Sequence, residues 1–166
     1  MPINKKTLIF PAFVACAAAF VYFSSLALPA MVASHFSSAG IADSAMPRAV
    51  YIGFMLGVLI GLPTLMVFLS RFAISRPNAR INLPNREIWL APEYRAQTIA
   101  VLRNGITGYR VWLLTFLCYM HWLVVCANQS PTPHLSQAWF IGGLALFMLG
   151  TLIWLIQLMR RFRKRP

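Results

Sequence analysis

Residues 49–69 read AVYIGFMLGVLIGLPTLMVFL and contain no charged side chain. A helix rises about 1.5 Å per residue, so a run of roughly 20 residues crosses the hydrocarbon core of a bilayer, which is about 30 Å thick. This stretch therefore predicts a transmembrane helix.

Three further blocks repeat this pattern. Residues 7–28 and 138–159 are also uncharged, and so are residues 111–127. The last block extends back to residue 106 if Arg110 directs its guanidinium to the interface. The chain has 166 residues, 59% of them hydrophobic, which is more apolar surface than one small soluble core buries. We therefore predict an all-α membrane protein, a single domain over residues 1–166, with four transmembrane helices at about 7–28, 49–69, 106–127 and 138–159.

The basic residues predict how these helices are oriented. The chain has 15 Lys and Arg against 3 Asp and Glu, a formal net charge of +12. If four helices cross the membrane, every Lys and Arg except Arg48 falls on one side. This is the positive-inside pattern, and it predicts a multi-pass protein with both termini and the loop 70–105 in the cytoplasm. Attraction to anionic lipid headgroups explains the basic residues, so we expect the lipid bilayer as a partner and no nucleic acid.

The N-terminal segment resembles a signal peptide, because Lys5 and Lys6 precede an apolar run that ends near Ala27. That run is longer than the roughly 7–15 residues of a signal-peptide core. We therefore expect an uncleaved first helix.

Gly53, Gly57 and Gly61 recur every four residues, which places them on one face of the second helix. Glycines at this spacing let another helix approach closely. We predict that this face packs against the first helix, which has its own small residues. The alternative use of the same face is assembly into a homo-oligomer.

The cytoplasmic loop is expected to contain a short helix at the membrane surface. Pro92 and Glu93 are typical of a helix start, and Gly105 is typical of a stop. The prolines earlier in the loop, among them Pro84, favour an extended path before that helix.

The sequence offers no catalytic set. Asp43, Glu87 and Glu93 are its only carboxylates, and none lies within a predicted span. The chain lacks a glycine-rich phosphate loop, a G-x-S-x-G elbow and an H-E-x-x-H motif. We predict no catalytic residues, no cofactor, no metal site and no enzymatic activity. His121 is the one imidazole within a predicted span, and we expect it to be a hydrogen-bonded helix-packing residue.

Two segments resemble a known family. The first outer loop has the order Leu28-Pro29, His35-Phe36, Gly40 and Asp43, and the cytoplasmic loop reads INLPNREIWLAPEYR over residues 81–95. This combination resembles a small bacterial membrane domain of unknown function, which also forms the N-terminal part of SdpI-type toxin-immunity proteins. The resemblance implies the bacterial inner membrane as location. It also implies recognition of a protein or peptide partner.

From these observations we predict a non-enzymatic membrane protein with an immunity or signalling role. Its outer loop recognises a ligand or partner, and its basic cytoplasmic loop docks or relays. The predicted binding residues are His35, Gly40 and Asp43 outside, and Pro84, Asn85, Arg86, Trp89 and Glu93 inside. The alternative is a small oligomeric transporter or channel subunit that assembles through Gly53, Gly57 and Gly61.

Overall fold

The computed structural model describes residues 5–75 and 81–164. These residues are mostly helical, as predicted. The segment that was expected to be the first outer loop, however, forms an antiparallel β-hairpin. In chain order the elements are α1 (Lys5–Ser25), β1 (Met31–Phe36), β2 (Ala42–Pro47), α2 (Arg48–Ser75), α3 (Arg86–Trp89), α4 (Pro92–Ala127) and α5 (Gln137–Arg163).

Three helices of the described chain are long and apolar enough to cross a membrane. They cover Arg48–Ala73, Pro92–Ala127 and Gln137–Arg163. The predicted spans 49–69, 106–127 and 138–159 lie within them. In α1 the apolar stretch with described side chains, Ile9–Ser25, is shorter. The length and composition of these helices fit a helical membrane protein.

Helices α1, α2 and α4 pack around one apolar core. Steps of four residues along α2 place Tyr51, Met55 and Leu59 on the face that is buried there. The outer faces of α2 and α5 carry many exposed Phe, Leu and Ile side chains, as expected where a helix meets lipid. The core side chains of the three helices are Ala17, Val21, Tyr51, Met55, Leu59, Leu114 and Val125.

The predicted packing of α1 on the glycine face of α2 is wrong. Gly53, Gly57 and Gly61 are each offset by two positions from the buried residues of α2. At about 100° per residue, this places them on nearly the opposite face. A Cβ added to any of these glycines would meet no atom of the described chain within 4 Å. Helix α2 contacts α1 through its larger side chains instead, because these fill the space between the helices.

The predicted helix stop at Gly105 is also wrong. Pro92 does begin a helix, but α4 continues from there to Ala127 without a break. The expected short surface helix is therefore the first part of α4. A Cβ on Gly105 would lie 3.8 Å from the side chains of Trp154 and Leu158, so the glycine lies where α4 and α5 approach each other.

Helix α5 packs closely on α4 through small residues. A Cβ on Gly143 would lie 2.1 Å from the Tyr119 ring, and one on Gly150 would lie 2.6 Å from the Trp112 ring. The tyrosine hydroxyl donates a hydrogen bond to the carbonyl oxygen of Trp139 on α5 at 2.6 Å. These glycines allow the aromatic rings of α4 to approach the backbone of α5 closely.

The helix connections lie at two opposite ends of the bundle. The hairpin contacts the loop between α4 and α5, where the Leu135 amide donates to the Gly40 carbonyl at 2.8 Å. We call this the hairpin end. At the other end, the Asn85 side chain donates to the carbonyls of Phe162 and Arg163. We call this the basic end, because Arg86 of α3 and three arginines in the last turn of α5 lie there: Arg160, Arg161 and Arg163.

Candidate functional site

The hairpin is a structured element with a defined turn. Its strands pair from Met31 opposite Pro47 to Phe36 opposite Ala42. The turn is closed by the Ser37 amide, which donates to the Ile41 carbonyl at 2.9 Å. Gly40 lies in this turn with a φ of 78°, a conformation that favours glycine.

Gly40 also permits a close contact with the neighbouring loop. A Cβ at this position would lie 2.3 Å from the Leu135 carbonyl oxygen and 3.1 Å from the His134 ring. In addition, Ile41 forms an isolated antiparallel bridge with His134. The predicted site residue Gly40 is therefore the point where the hairpin turn meets the α4–α5 loop.

One edge of the hairpin is held by a buried amide at the end of α4. The Asn128 side chain accepts a hydrogen bond from the Ala33 amide at 2.8 Å and donates to the Ala33 carbonyl at 2.9 Å. It also donates to the Val124 carbonyl in the last turn of α4 at 2.9 Å. Asn128 thus pairs with β1 as a neighbouring strand would, and it fixes the hairpin to the helix bundle.

The base of the hairpin is held by an arginine at the start of α2. The Arg48 guanidinium donates to the carbonyls of Leu26 and Leu28 at 3.1 and 2.9 Å. The backbone amide of Arg48 donates to the Ala30 carbonyl at 2.9 Å. The residues after α1 thereby gain partners for carbonyls that the helix leaves unpaired. Arg48, the basic residue outside the positive-inside pattern, has this structural role.

His35 and Asp43 form the polar group that the hairpin exposes. The Nδ1 atom of His35 lies 2.5 Å from Oδ1 of Asp43, and the two side chains are 72% and 46% exposed. The carboxylate orients the imidazole, so that its Nε2 is directed away from the pair. The structure therefore brings together three predicted outer residues, His35, Asp43 and Gly40, on one hairpin.

His121 is completely buried and belongs to a separate hydrogen-bond network. Its Nε2 lies 2.8 Å from the Ser24 hydroxyl, and its Nδ1 lies 2.9 Å from the Tyr51 hydroxyl. The Ser24 hydroxyl also lies within hydrogen-bond distance of the Phe20 carbonyl. Each ring nitrogen of His121 therefore has one hydroxyl partner, and in the neutral imidazole one nitrogen donates while the other accepts. Every polar group of this network has a partner, which fits the predicted helix-packing role of His121.

Metal-ligating side chains occur in several elements of the part of the chain that the structure describes. The three histidines belong to different parts of the fold: His35 lies on the exposed hairpin, His134 in the α4–α5 loop and His121 in the core. Among the residues with described side chains, no three His, Cys, Asp or Glu lie close enough to share a metal ion.

Two of the predicted inner residues, Asn85 and Trp89, contact the end of α5. The Asn85 side chain donates to the Phe162 and Arg163 carbonyls at 3.1 and 3.0 Å, and the Trp89 indole donates to the Phe162 carbonyl at 2.9 Å. Phe162 is buried and lies edge-on to the Trp89 ring, with the ring centres 5.4 Å apart. Asn85 and Trp89 therefore satisfy carbonyls that the end of α5 would leave unpaired.

Local backbone conformation supports this contact. Asn85 has a φ of 50° and directly precedes α3, and its carbonyl accepts from the amides of Ile88 and Trp89 within that helix. Thr98 of α4 donates to the Trp89 carbonyl at 2.7 Å, so α3 is fixed to α4 as well. Asparagine adopts a positive φ, as Asn85 does here, more readily than most residues do.

The other three predicted inner residues, Pro84, Arg86 and Glu93, differ in how far they are buried. Pro84 is half-buried, whereas Arg86 and Glu93 are exposed. These two are available for an intermolecular contact. The structure thus divides the predicted inner site into a structural half and an exposed half.

Sequence reasoning missed three residues that organise these sites: Asn128, Tyr51 and Ser24. Asn128 is the polar residue directly after an apolar span, which is a usable signal for a helix-terminal partner. Tyr51 and Ser24 lie within apolar spans, where polar side chains usually face a protein partner. The partners themselves are distant in sequence and were not predictable.

No protein-family model, curated protein or solved structure matches this chain. The resemblance to the SdpI-type membrane domain therefore stays a prediction.

Proposed function

We propose that this protein is a non-enzymatic, four-span protein of the bacterial inner membrane that recognises a protein or peptide partner through its hairpin. Both termini and the basic end lie in the cytoplasm, and the hairpin end faces outward. On the basic end, exposed Arg86 and Glu93 dock a second component or relay the state of the hairpin. The immunity or signalling role rests on the family resemblance alone.

The observation that carries this proposal is the fixed, exposed hairpin with its His35–Asp43 pair. Asn128 holds one strand, Arg48 holds the base, and the α4–α5 loop holds the turn at Gly40. A surface that is ordered before binding loses less conformational entropy when a partner arrives. Such extensive fixing of an exposed polar pair favours recognition over a plain connecting loop.

The pairing of the hairpin favours an extended segment as the partner. Strand β1 is covered at Ala33 by the Asn128 amide, whereas β2 is an outer strand of a two-stranded sheet. The outer edge of a strand is available to pair with an added strand. Asp43 lies on β2 and is within reach of such a segment.

The buried histidine network supports a non-enzymatic role. A histidine that acts as a base must be within reach of a bound substrate. His121 is instead completely buried, and its two ring nitrogens lie 2.8 and 2.9 Å from the Ser24 and Tyr51 hydroxyls. This arrangement stabilises the contacts among α1, α2 and α4 and keeps the imidazole away from a substrate.

Site-specific photo-crosslinking in cells tests the proposed recognition. A photoreactive amino acid at exposed Ala45 on β2 is expected to give an adduct of defined mass, whereas the same group at lipid-facing Ala145 on α5 is not. The adduct should fall strongly in a His35→Ala background. His134→Ala is the matched control, because it removes an imidazole at the same end without touching Asp43. An adduct that survives His35→Ala unchanged would contradict the proposal.

The second candidate function is a small transporter or channel subunit that works as an oligomer. It is favoured by the glycine face of α2, which no described atom of the chain covers. Gly57→Leu is then expected to leave the fold intact but to dissociate the oligomer. Ion or solute flux through reconstituted liposomes distinguishes the two functions, since a recognition protein gives no flux.

A further inference from the structure

A second polar site lies between α2 and α4, away from the hairpin. Here a cavity of about 230 Å³ is lined by three arginines together with apolar and hydroxyl side chains. Its lining residues are Val67, Ser70, Arg71, Arg103, Ile106, Thr107 and Arg110.

The three arginines have no acidic partner in the described chain. The one ion pair found among the described residues joins His35 to Asp43, at the opposite end of the bundle. Arg71 and Arg110 line the same cavity, and their like charges repel each other. Arg71 and Arg103 are exposed, so an anion from outside the chain can reach the cavity and balance its positive charge.

Arg110 also has an unused donor. Its Nε is buried and has no hydrogen-bond partner among the described atoms, while its guanidinium lies 3.5 Å from the centre of the Phe10 ring. The ring holds the guanidinium plane in one position. A buried donor without a partner is costly, so an acceptor is expected to reach it.

The position of the cavity agrees with a ligand at the membrane boundary. Arg110 precedes Asn128 by about 18 residues of one helix, which corresponds to roughly 27 Å along the axis. That distance is close to the thickness of the hydrocarbon core. If the hairpin end lies at one interface, the arginine cavity lies at the other.

We infer that this cavity binds a phosphate group through Arg71, Arg103 and Arg110. Guanidinium groups match the geometry and charge of phosphate oxygens and bind them with paired hydrogen bonds. The cavity is smaller than the roughly 300–1,000 Å³ of pockets for drug-sized ligands, so it suits a headgroup-sized anion. The Ser70 and Thr107 hydroxyls donate to the Val67 and Arg103 carbonyls, which leaves the phosphate contacts to the arginines. This inference does not depend on the proposed function of the hairpin.

The phosphate can belong to a phospholipid headgroup or to a soluble anion, and two arms of one experiment separate these sources. In the first arm, the full chain is extracted from vesicles of phosphatidylcholine and phosphatidylglycerol, and retained lipid is counted by native mass spectrometry. In the second, delipidated protein in detergent is heated in sodium phosphate or in sodium chloride of equal ionic strength.

The variants are Arg71→Gln and Arg103→Gln, because both side chains are exposed and their loss leaves the core intact. Arg163→Gln is the control, since it removes the same charge at the same end outside the cavity. Loss of one charge-assisted contact is expected to weaken binding at least about tenfold.

Retention of one phosphatidylglycerol per chain, lost in the two cavity variants and kept in Arg163→Gln, supports a lipid headgroup. A thermal midpoint raised by phosphate but not by chloride, again only with the cavity arginines present, supports a soluble phosphate. Absence of both effects overturns the inference. An equal loss in Arg163→Gln also overturns it, because the effect would then follow total charge rather than the cavity.

Discussion

Replacement of Asn128 by alanine is the most informative change at the hairpin end. The Asn128 side chain makes two hydrogen bonds with Ala33 and one with the Val124 carbonyl. Ala33 is only 5% exposed, so its amide and carbonyl lose their partners without gaining full access to water. An unpaired buried polar group costs about 1–3 kcal/mol. Because water partly reaches the strand edge, we expect the unpaired amide and carbonyl of Ala33 together to cost about 2–4 kcal/mol.

Hydrogen–deuterium exchange in detergent micelles measures this cost directly. If the lost free energy appears as local opening of the hairpin, protection in β1 should fall by roughly 30- to 700-fold, since 1.4 kcal/mol corresponds to a factor of ten. Asn104→Ala is the matched control, because Asn104 is an exposed residue on α4, the helix that ends just before Asn128. Unchanged exchange in β1 after Asn128→Ala would refute the assignment of Asn128 as the residue that holds the hairpin.

Three further substitutions test other contacts, each by the thermal midpoint in detergent. Gly40→Ala should destabilise the protein by at least about 1–2 kcal/mol, because the backbone is left-handed there and the new Cβ meets a carbonyl oxygen. The control Gly108→Ala, in an open position on α4, should be neutral or stabilising by up to about 1 kcal/mol. Equal effects of the two substitutions would contradict the role given to Gly40. Trp89→Phe should cost about 0.5–1.5 kcal/mol, because it removes the hydrogen bond to the Phe162 carbonyl while keeping an aromatic ring; no loss of stability would show that the bond is unimportant. Tyr51→Phe should cost about 0.6 kcal/mol, a typical value for a hydrogen bond between transmembrane helices, and a stabilised variant would argue against the buried network.

The apolar blocks were predictable because the bilayer imposes a length and a composition on any helix that crosses it. The sequence placed spans at 49–69 and 138–159, and the structure has α2 at Arg48–Ser75 and α5 at Gln137–Arg163. Both helices continue beyond the predicted spans at their basic ends. Charged residues there do not interrupt a helix once it has left the hydrocarbon.

The hairpin was not predictable from local sequence. Strand β1, MVASHF, lacks a regular alternation of polar and apolar residues, and its pairing with β2 has irregular register around His35. The side chain that completes its outer edge, Asn128, is 95 positions away from Ala33. Long-range contacts of this kind leave no local pattern.

Glycines were the main source of error, because one residue type serves several structural purposes. Gly105 is typical of a helix stop, but here it lies inside α4 opposite Trp154. The three glycines of α2 have the spacing of a helix contact, yet no described atom of the chain covers them. Gly40 shows a third use of the residue, since it lies in the hairpin turn with a positive φ.

The sequence alone did not distinguish the structural residues of the predicted site from its exposed residues, whereas the structure does. Asn85 and Trp89 look like binding residues in a basic loop, but they contact the carbonyls of Phe162 and Arg163 at the end of α5. Their partners are more than 70 positions away in sequence. His35 and Asp43 are eight positions apart, and the hairpin brings them together.

We propose that the hairpin end and the basic end lie on opposite sides of a membrane. Cysteine accessibility distinguishes the two sides, in a background where Cys16, Cys118 and Cys126 are replaced by alanine. Ser44→Cys reports on the hairpin and Glu87→Cys on the basic end, since both positions are exposed. With a membrane-impermeant maleimide, we expect Ser44→Cys to be labelled in intact spheroplasts and Glu87→Cys only after permeabilisation. Labelling of both positions in intact spheroplasts, or of Glu87→Cys alone, would contradict the account.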